Sequence, residues 1–584
     1  MEEINAVELL REELKGTSPH LFEVDEVHLK VNAIHRLKTV LLSISQDEIK
    51  SDLFPFLQDL IDTECDEVLF AIAEELGKPD ICSLCDSANL LEALEKLAQS
   101  DETVVREQAA NSLRNVCKAM SESDVQDLFI PLVFRLSSSD WFPGRVSACS
   151  LFSKAYESAG SHKEDLRKKF LELCNEDTPI VRRAGSKRLG EFATHVEKPY
   201  VIKEIFPILK KLAKDEQDQI RILCIESLIP IAKYLTKEEN QLHAIGPLLV
   251  TSEDKNWKVR LTFAKNFAEL ADAFGKEITD SNLIQTFSMF LNDSEGEVKD
   301  AAIHSLSKCL KTISPERVIS YVLPNIQSMY VDASSSFKGG LANTLCAMAP
   351  IVGSEVANSR VLPILLELIK DDDADVRLNV AKGMIKLAEV LGTDLLSEGV
   401  IASLSQMTKD TQWRVRSSVY DLLSDLGAAL GKETFQRNLK DIFFGFLTDT
   451  AASVRNQGIL KLGDLAESFG SDWVIDEIIP KLNDIYDQDK QGYLYRMCVI
   501  NAGIEISRGL SKSQINAHIV PIMLKACSDS VANVRITVCK AIKKLVSTPE
   551  GAAVGANFKS TLSDLVNDSD KDVKHFATVA EEAI

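Results

Sequence analysis

The sequence predicts an all-α protein, an α-solenoid of about 15 antiparallel helix pairs that repeat every ~39 residues and form a curved superhelix. Three markers share this period: a basic residue near the start of each second helix, a glycine at the end of that helix, and a proline within the first helix. A helix pair with one apolar face per helix cannot bury that face alone. It needs neighbours of the same kind, and a long stack follows.

The basic marker follows an acidic turn and an apolar residue. It recurs at Lys30, Arg106, Arg145, Arg183, Arg221, Arg260, Lys299, Lys338, Arg377, Arg416, Arg455, Arg496, Arg535 and Lys574. From Arg106 onward the spacing is 38, 39 or, once, 41 residues. One repeat between Lys30 and Arg106 lacks the basic marker. In its sequence, DEVLFAIAEELG, Leu69 occupies the marker position, and with this repeat the count is fifteen.

The glycine and proline markers run in phase with it. The glycines, separated by 39 residues or twice 39, are Gly275, Gly353, Gly392, Gly431, Gly470 and Gly509. The prolines precede a turn aspartate by eight residues, as in Pro207 with Asp215, Pro324 with Asp332, Pro363 with Asp371 and Pro521 with Asp529. A proline inside a helix removes a hydrogen bond, so we expect each first helix to bend.

The segment from Val361 to Gly392 illustrates the repeat. An apolar stretch containing Pro363 predicts the first helix, and the run of aspartates from Asp371 to Asp375 predicts the turn. Those carboxylates precede the second helix, where they face the positive end of its dipole. Apolar residues at helical spacing follow, and Gly392 is expected to end the helix in a left-handed conformation.

Composition narrows the class of function. The chain has 584 residues, 45% of them hydrophobic but only 6% aromatic, which suits an aliphatic helical core. A net charge of −22 argues against a nucleic-acid binder and favours basic partners. The charged, amphipathic start MEEINAVELLREEL and the lack of a long apolar run predict no membrane insertion and a cytoplasmic location, with a nuclear one left open.

Motifs for catalysis or metal binding are missing from the sequence. The twelve scattered cysteines are interpreted as reduced core residues, and the lone C-x-x-C of Cys82 and Cys85 has no second ligand pair. The glycine-rich GSKRLG, Gly185 to Gly190, lies within a predicted second helix rather than in a phosphate loop. We therefore expect a non-catalytic protein without cofactor or metal.

Tryptophans mark the turns. Trp257 and Trp413 each lie three residues before the basic marker, 156 residues apart, and Trp141 lies nearly at that place. Each indole either packs on a neighbouring turn or anchors a partner protein, because tryptophan and arginine are enriched at interface hot spots. Trp473 falls in a first-helix pattern and is predicted to be core.

Two groups of turns are distinctive in sequence. The first group contains DWF, DTPIVRR, DEQDQ and KNWKVR in repeats four to seven, and the second contains WRVR, GYLYRM and SVANVR in repeats eleven, thirteen and fourteen. The Thr178-Pro179 pair has two interpretations, since proline is also favoured in the first turn of a helix.

A helix pair with proline in the first helix, aspartate in the turn and valine-arginine at the start of the second resembles the HEAT repeat, over nearly the whole chain. That resemblance implies a ladder of Asp–Arg contacts from each repeat to the next.

The turn sequences, in this order and number, further resemble the scaffold (A) subunits of protein phosphatase 2A. The resemblance implies a single solenoid over residues 1–584 that binds exchangeable regulatory B-type subunits and the phosphatase catalytic subunit, as a dimeric core and a trimeric holoenzyme. It assigns residues 1–315, repeats 1–8, to binding of the regulatory subunit, whereas residues 394–584, repeats 11–15, would bind the catalytic subunit. Residues 316–393, repeats 9 and 10, would be a hinge, because Gly339-Gly340 should weaken the second helix of repeat nine.

Matching positions give two sets of contact residues. The set implied for the catalytic subunit comprises Trp413, Arg414, Arg416, Tyr495, Arg496, Val531, Ala532 and Asn533. The set implied for the regulatory subunit comprises Asp101, Glu102, Asp140, Trp141, Asp177, Thr178, Pro179, Arg183, Asp215, Glu216, Asp218 and Trp257.

Other interpretations of the same solenoid stay open. A nuclear transport receptor of the importin kind, or another HEAT adaptor, would share the fold and the acidic composition. A HEAT-like enzyme such as a DNA glycosylase would need a basic groove, which the net charge opposes.

Overall fold

Two kinds of helix alternate along the chain, as the periodicity predicts. The computed structural model describes residues 6–14, 26–330, 333–487 and 492–584, and every regular element in those ranges is a helix. Asp332 and most of the DQDKQG stretch, where repeat thirteen is two residues longer than its neighbours, lie outside these residues. The chain forms two units, residues 1–290 and 291–584. The boundary falls in the turn of repeat eight.

The first unit holds repeats one to seven and the first helix of repeat eight. Its second helices are Glu26–Ile34 with Leu37–Ser43, Asp66–Leu76, Thr103–Ala119, Phe142–Cys149 with Phe152–Glu157, Pro179–His195, Asp218–Tyr234 and Trp257–Phe274. Its first helices are Ala6–Leu14, Gln46–Thr63, Pro79–Leu84 with Ser87–Leu97, Glu122–Ser137, Lys163–Leu173, Lys198–Leu212, Lys237–Ser252 and Lys276–Phe290.

The second unit holds the second helix of repeat eight and repeats nine to fifteen. Its second helices are Gly296–Cys309, Ser335–Val352, Ala374–Leu391, Trp413–Leu430, Ala452–Phe469, Tyr493–Ile506, Ala532–Val546 and Lys571–Glu581. Its first helices are Pro315–Met329, Ser354–Leu368, Glu398–Met407, Lys432–Asn438 with Lys440–Phe443, Ser471–Asp487, Lys512–Cys527 and Pro549–Ala552 with Lys559–Leu565. Together the two units follow the fifteen-repeat order and confirm an all-α solenoid.

Most first helices contain a wide π-helical turn. It spans five residues, as in Val201–Ile205 and Ala357–Val361. In eight of the nine described cases a proline follows within three residues, for example Pro207 and Pro363. Proline lacks an N–H and clashes with the carbonyl four residues earlier, and the wider turn accommodates both effects. The bend expected in the first helices therefore takes the form of a π-helical turn.

Five of the six marker glycines have positive φ. Gly431 ends the second helix of repeat eleven with φ 86° and ψ 162°, and its N–H donates to the Gly427 carbonyl. These angles belong to an extended, positive-φ region that only glycine adopts readily. Gly392 was expected in the left-handed helical region, but its angles, φ 56° and ψ −134°, also lie outside that region. Gly509 departs from the series, because it lies in the 3₁₀ turn Ser507–Gly509 and is not among the positive-φ glycines.

Second helices pack against one another in succession, as Ser335–Val352 packs on Ala374–Leu391. The glycines expected to weaken repeat nine lie at such contacts. A Cβ on Gly340 would lie 3.0 Å from Ile303 Cγ2, and one on Gly339 would lie 3.1 Å from Asn379 Nδ2. The helix remains continuous from Ser335 to Val352, so the glycines permit close packing between repeats eight, nine and ten.

The core is mainly aliphatic, as the composition predicts, with local groups of aromatic rings. Trp473 is buried against Phe435 and Phe469, which confirms its assignment to the core. Nine of the twelve cysteines are buried, and all twelve thiols are free. Among the described helices, none is long and apolar enough to cross a membrane.

Candidate protein-binding ridges

In six repeats an arginine of the second helix pairs with an aspartate in the turn of the next repeat, and these pairs form a ladder. Arg377 shows the pattern: Nε and Nη2 donate to the two oxygens of Asp410 in the next turn, at 2.6 and 2.9 Å. Its Nη1 donates to the Asp371 carbonyl of its own turn at 2.7 Å. The same bidentate pairing joins Arg182 to Asp215, Arg221 to Asp254, Arg416 to Asp449, Arg496 to Asp529 and Arg535 to Asp568.

The ladder aspartates also accept hydrogen bonds from backbone N–H groups of their own turns. Asp410 Oδ1 accepts the Gln412 N–H at 2.8 Å, so one side chain binds the turn backbone just before the next helix and receives the preceding arginine. Burial alone would raise the pKa of Asp410, but the Arg377 and Gln412 hydrogen bonds outweigh it, and the pKa is lowered. The ladder implied by the HEAT resemblance is confirmed, and each of its turns is fixed at several points.

The ladder corrects one sequence assignment. Arg182, not Arg183, takes the basic place of repeat five, since it pairs with Asp215 and donates to the Glu176 carbonyl. Arg183 is exposed. Counted back from Arg221, the 39-residue period gives Arg182, and Arg182 follows Val181 as Arg221 follows Ile220.

Three predicted contact residues have internal partners in the ladder. Arg416, Arg496 and Asp215 keep only 11%, 19% and 11% of their side-chain surface exposed. Their charges are largely used within the chain, where they hold the turns in place. Any partner contact they make would be through the small part that stays exposed.

The first candidate surface, here called the N-terminal ridge, comprises the turns and helix starts of repeats three to seven in the first unit. Among its predicted residues, the exposed ones are Asp101, Glu102, Asp140, Trp141, Asp177, Pro179, Arg183 and Glu216, while Thr178, Asp218 and Trp257 are half-buried. Pro179 is the first residue of the helix Pro179–His195, as the simpler interpretation of Thr178-Pro179 expected.

Hydrogen bonds join adjacent turns of the N-terminal ridge. Trp141 Nε1 donates to Asp101 Oδ1 at 3.1 Å, while 53% of the tryptophan surface remains exposed. Asn256 Nδ2 donates to Asp218 Oδ2 at 2.8 Å. The indole of Trp141 thus contacts a neighbouring turn and still presents a large exposed surface, so the first interpretation of the turn tryptophans is confirmed for it, and its role as a partner anchor stays a prediction.

The second surface, here called the C-terminal ridge, comprises the helix starts of repeats eleven, thirteen and fourteen in the second unit. Trp413 begins its helix and is 41% exposed, with the Arg414 guanidinium 5.2 Å from the ring centre. Tyr495 donates its hydroxyl to the Thr448 carbonyl of repeat twelve at 3.4 Å. In repeat fourteen, Val531 and Ala532 are half-buried and Asn533 is exposed. The surface has an aromatic–cation pair and a row of polar groups.

Four exposed apolar residues on these ridges escaped the sequence analysis: Val104, Ile180, Tyr493 and Leu494. Val104, Ile180 and Leu494 occupy the position two residues before the ladder arginine, where most repeats carry a polar side chain such as Gln219, Lys258 or Ser453. That contrast was available in the sequence. Clustered apolar residues on an exposed ridge are typical of protein interfaces.

Reactive groups are scarce in the described part of the chain. No group of three or more potential metal-ligand side chains lies together there. Burial raises the pKa of the Cys85 thiol to about 12, with a further contribution from Cys82, so the C-x-x-C lacks a ready thiolate. Gly185 and Gly190 lie inside the helix Pro179–His195, which confirms that GSKRLG is not a phosphate loop.

The overall architecture has counterparts among solved structures. A crystal structure of importin beta matches with a TM-score of 0.53 and 15% identity, over 98% of this chain and 79% of that one. The structure of Kap95p with RanGDP matches with a TM-score of 0.58 and 13% identity, over 99% of this chain and 84% of that one. At these identities the likeness concerns the fold alone.

Comparison with known sequences is more specific than comparison of folds. A family model described as PPP2R1A-like HEAT repeat matches residues 276–353, and one described as PIK3R4-like, middle domain, matches residues 361–550. The A-type regulatory subunit of protein phosphatase PP2A from Schizosaccharomyces pombe is 36% identical over 44% of each chain. A probable PP2A regulatory subunit of Caenorhabditis elegans is 40% identical over 38% of each chain. The beta isoform of the human A-type 65 kDa regulatory subunit is 35% identical over 53% of each chain.

The matches span about half or less of the length of these relatives. The helix order, the Asp–Arg ladder and the HEAT family model together define a HEAT-repeat solenoid. Within that class, the chain is similar in sequence to the A-type regulatory, or scaffold, subunits of protein phosphatase 2A.

Proposed function

We propose that this chain is a non-catalytic scaffold subunit of a heterotrimeric serine/threonine protein phosphatase 2A. Its C-terminal ridge, within residues 394–584, binds the catalytic subunit, while its N-terminal ridge, within residues 1–315, binds an exchangeable regulatory subunit. The names of the relatives, which describe regulatory and scaffold subunits, support this assignment.

The observation that carries the proposal is the side-chain arrangement of the C-terminal ridge. Trp413 combines a large exposed indole with the neighbouring Arg414 guanidinium, and the ladder pair Arg416–Asp449 fixes the turn beneath them. Rigid aromatic side chains lose little conformational entropy on binding, and tryptophan and arginine dominate the free energy of many interfaces.

The proposed activity is tethering. Two partners held on one chain are present to each other at a high effective concentration, often millimolar for linked sites. A substrate bound by the regulatory subunit then meets the phosphatase active site without a separate diffusional encounter. The two ridges lie in different units of the chain, so the partners need not compete for the same side chains.

The chain itself supplies a matched pair of variants for the test. Trp413→Ala/Arg414→Ala alters the C-terminal ridge, and Trp257→Ala/Lys258→Ala alters the same register position four repeats earlier. We expect a titration with a phosphatase 2A catalytic subunit to give tight binding to the unmodified chain. The first variant should weaken binding at least tenfold, about 1.4 kcal/mol, and the second should leave it unchanged.

Two results would overturn the proposal. If the catalytic subunit does not bind the unmodified chain, a scaffold role in this phosphatase fails, and binding of a nucleotide-loaded small GTPase would then favour a transport receptor. If both variants weaken binding of the catalytic subunit equally, the C-terminal ridge is not its binding site.

A further inference from the structure

A pocket that adjoins the N-terminal ridge opens on the second helices of repeats three, four and five. It has a volume of about 170 Å³ and lies between the helices Thr103–Ala119, Phe142–Cys149 and Pro179–His195. The middle helix stops at Cys149 and resumes only at Phe152, and the residues it contributes, such as Ser147 and Ser150, are small. The pocket lies where the second helix of repeat four is interrupted and carries small side chains.

Repeats three and five meet directly beside this pocket. Arg114 Nη2 lies 3.3 Å from Glu191 Oε1, an ion pair that reaches past repeat four. Arg188 Nη1, from the pocket wall, lies 3.2 Å from the other oxygen of Glu191. The Arg114–Glu191 pair joins the two outer helices beside the pocket, and Arg188 contacts the Glu191 carboxylate from the same helix.

The pocket wall is positively charged in an acidic protein. Its charged residues are Arg106, Lys187, Arg188 and Glu107, so cations outnumber carboxylates by three to one, whereas the whole chain has 66 Lys and Arg against 88 Asp and Glu. Lys187 is exposed, and no ion-pair partner for it occurs in the part of the chain that the structure describes. Its ammonium is available to an anion.

The Thr103 hydroxyl borders the same space, whereas the Ser147 and Ser150 hydroxyls donate to the carbonyls of Ala98 and Ser147. Arg106 is fixed by two carbonyls of its own turn, at 2.8 Å each, and donates from Nη2 to Thr103 Oγ1 at 3.0 Å. Because Thr103 accepts that bond, its hydroxyl proton can point toward a ligand. Cys149 also borders the pocket, but burial raises the pKa of its thiol to about 12, so the site suits binding rather than covalent chemistry.

We propose that this pocket binds the phosphate group of a phosphorylated serine or threonine side chain on a protein docked along the N-terminal ridge. A phosphomonoester carries nearly two negative charges and three acceptor oxygens, which match the Lys187 ammonium, the Thr103 hydroxyl and the positive charge of Arg106 and Arg188 in the wall. The small volume fits such a group on one side chain. Thr103 begins the pocket next to exposed Val104, so the pocket is continuous with the ridge, and the choice of ligand rests on the proposed function.

The test uses the full chain, methyl-labelled at valine and alanine, with an alanine pentapeptide that carries a central phosphoserine. Val146, Ala110 and Ala184 line the pocket and report binding by NMR. We expect their methyl signals to shift with the phosphopeptide and not with the unphosphorylated serine peptide. Lys187→Glu should weaken the binding at least tenfold, while Lys265→Glu, at the equivalent exposed position of repeat seven, should leave it unchanged.

Several outcomes would overturn the inference: no shift at millimolar phosphopeptide, an equal loss in the Lys265→Glu control, or inorganic phosphate binding as tightly as the phosphopeptide. The last result would mean that the pocket takes a free anion. Lys187→Glu should keep full affinity for the catalytic subunit. A failed phosphopeptide titration therefore leaves the scaffold proposal standing, and a failed catalytic-subunit titration does not alter the phosphopeptide shifts.

Discussion

At the scale of single residues, the ladder arginines are expected to dominate local stability. Arg377→Ala removes the bidentate pair with Asp410 and the bond to the Asp371 carbonyl, and it leaves Asp410, 7% exposed, without its cation. We expect a loss of about 2 kcal/mol in the local unfolding free energy, because hydrogen bonds to charged, poorly solvated groups are costly to break. Amide hydrogen exchange in repeats ten and eleven measures this loss.

The control for this substitution is Lys370→Ala. Lys370 pairs with Glu367 across one exposed helix turn, and such surface pairs contribute little. If Lys370→Ala and Arg377→Ala change the exchange rates equally, the ladder has no special role in stability.

The same pairs predict a dependence on pH. The Arg535 hydrogen bond lowers the pKa of Asp568 in the folded chain below the unfolded value of about 3.9. A lowered pKa means stabilisation that is present above pH ~4 and is lost as the pH falls through the folded value. We expect the difference in urea midpoint between the unmodified chain and Asp568→Asn to be largest at neutral pH and to shrink under acid. A constant difference would contradict this reasoning.

The sequence predicted the pairing and exposure of some residues but not their contacts with other proteins. The ladder positions followed from the period, and of the two adjacent arginines Arg182 and Arg183 the period counted back from Arg221 gives Arg182, the one that pairs with Asp215. Exposure of Val104 and Ile180 could likewise be inferred from the sequence, since most repeats carry a polar side chain at that position. The predicted partner contacts are not tested by a single chain, and they stay predictions.

At the scale of elements, the close approach of successive second helices is expected to depend on glycine. A Cβ on Gly383 would overlap Cys346 Sγ on the preceding second helix. We expect Gly383→Ala to destabilise the second unit by about 2 kcal/mol, as overpacked cores do. Gly399→Ala is the matched control, because nothing lies within 4 Å of its added carbon. Urea unfolding measures both, and a stable Gly383→Ala protein would contradict the packing argument.

The order of helices could be predicted from the sequence, and their internal geometry only in part. Proline at a fixed place in the first helices predicted a bend, yet the wide π turn depends on how the backbone relieves the clash. Thr279–Leu283 adopts the same turn with Gln285 where other repeats have proline, so proline favours this geometry without being required. Likewise, Gly339-Gly340 predicted a weak helix. In the structure the two glycines lie close to side chains of the neighbouring repeats, and these contacts form only when the chain folds.

The proposed hinge at repeats nine and ten is an element-scale question that hydrogen exchange can answer. Loosely packed segments open more often and exchange faster. If residues 316–393 contain a hinge at repeat nine, amides of Ser335–Val352 should exchange faster than those of Ala374–Leu391. Equal or slower exchange would contradict the hinge and favour the alternative role of Gly340, close packing against repeat eight.

At the scale of the whole molecule, a scaffold with two separate binding ridges predicts an unusual dependence on its own concentration. When the chain is scarce, each added molecule joins a catalytic to a regulatory subunit. When it is in large excess, the two partners occupy different scaffold molecules, and the ternary complex declines. We expect energy transfer between labelled catalytic and regulatory subunits to rise and then fall as the chain is titrated. Trp413→Ala/Arg414→Ala should lower the maximum, because fewer scaffold molecules then carry the catalytic subunit. A signal that rises to a plateau and stays there at large excess would mean that the partners bind each other strongly, and the tethering mechanism would fail.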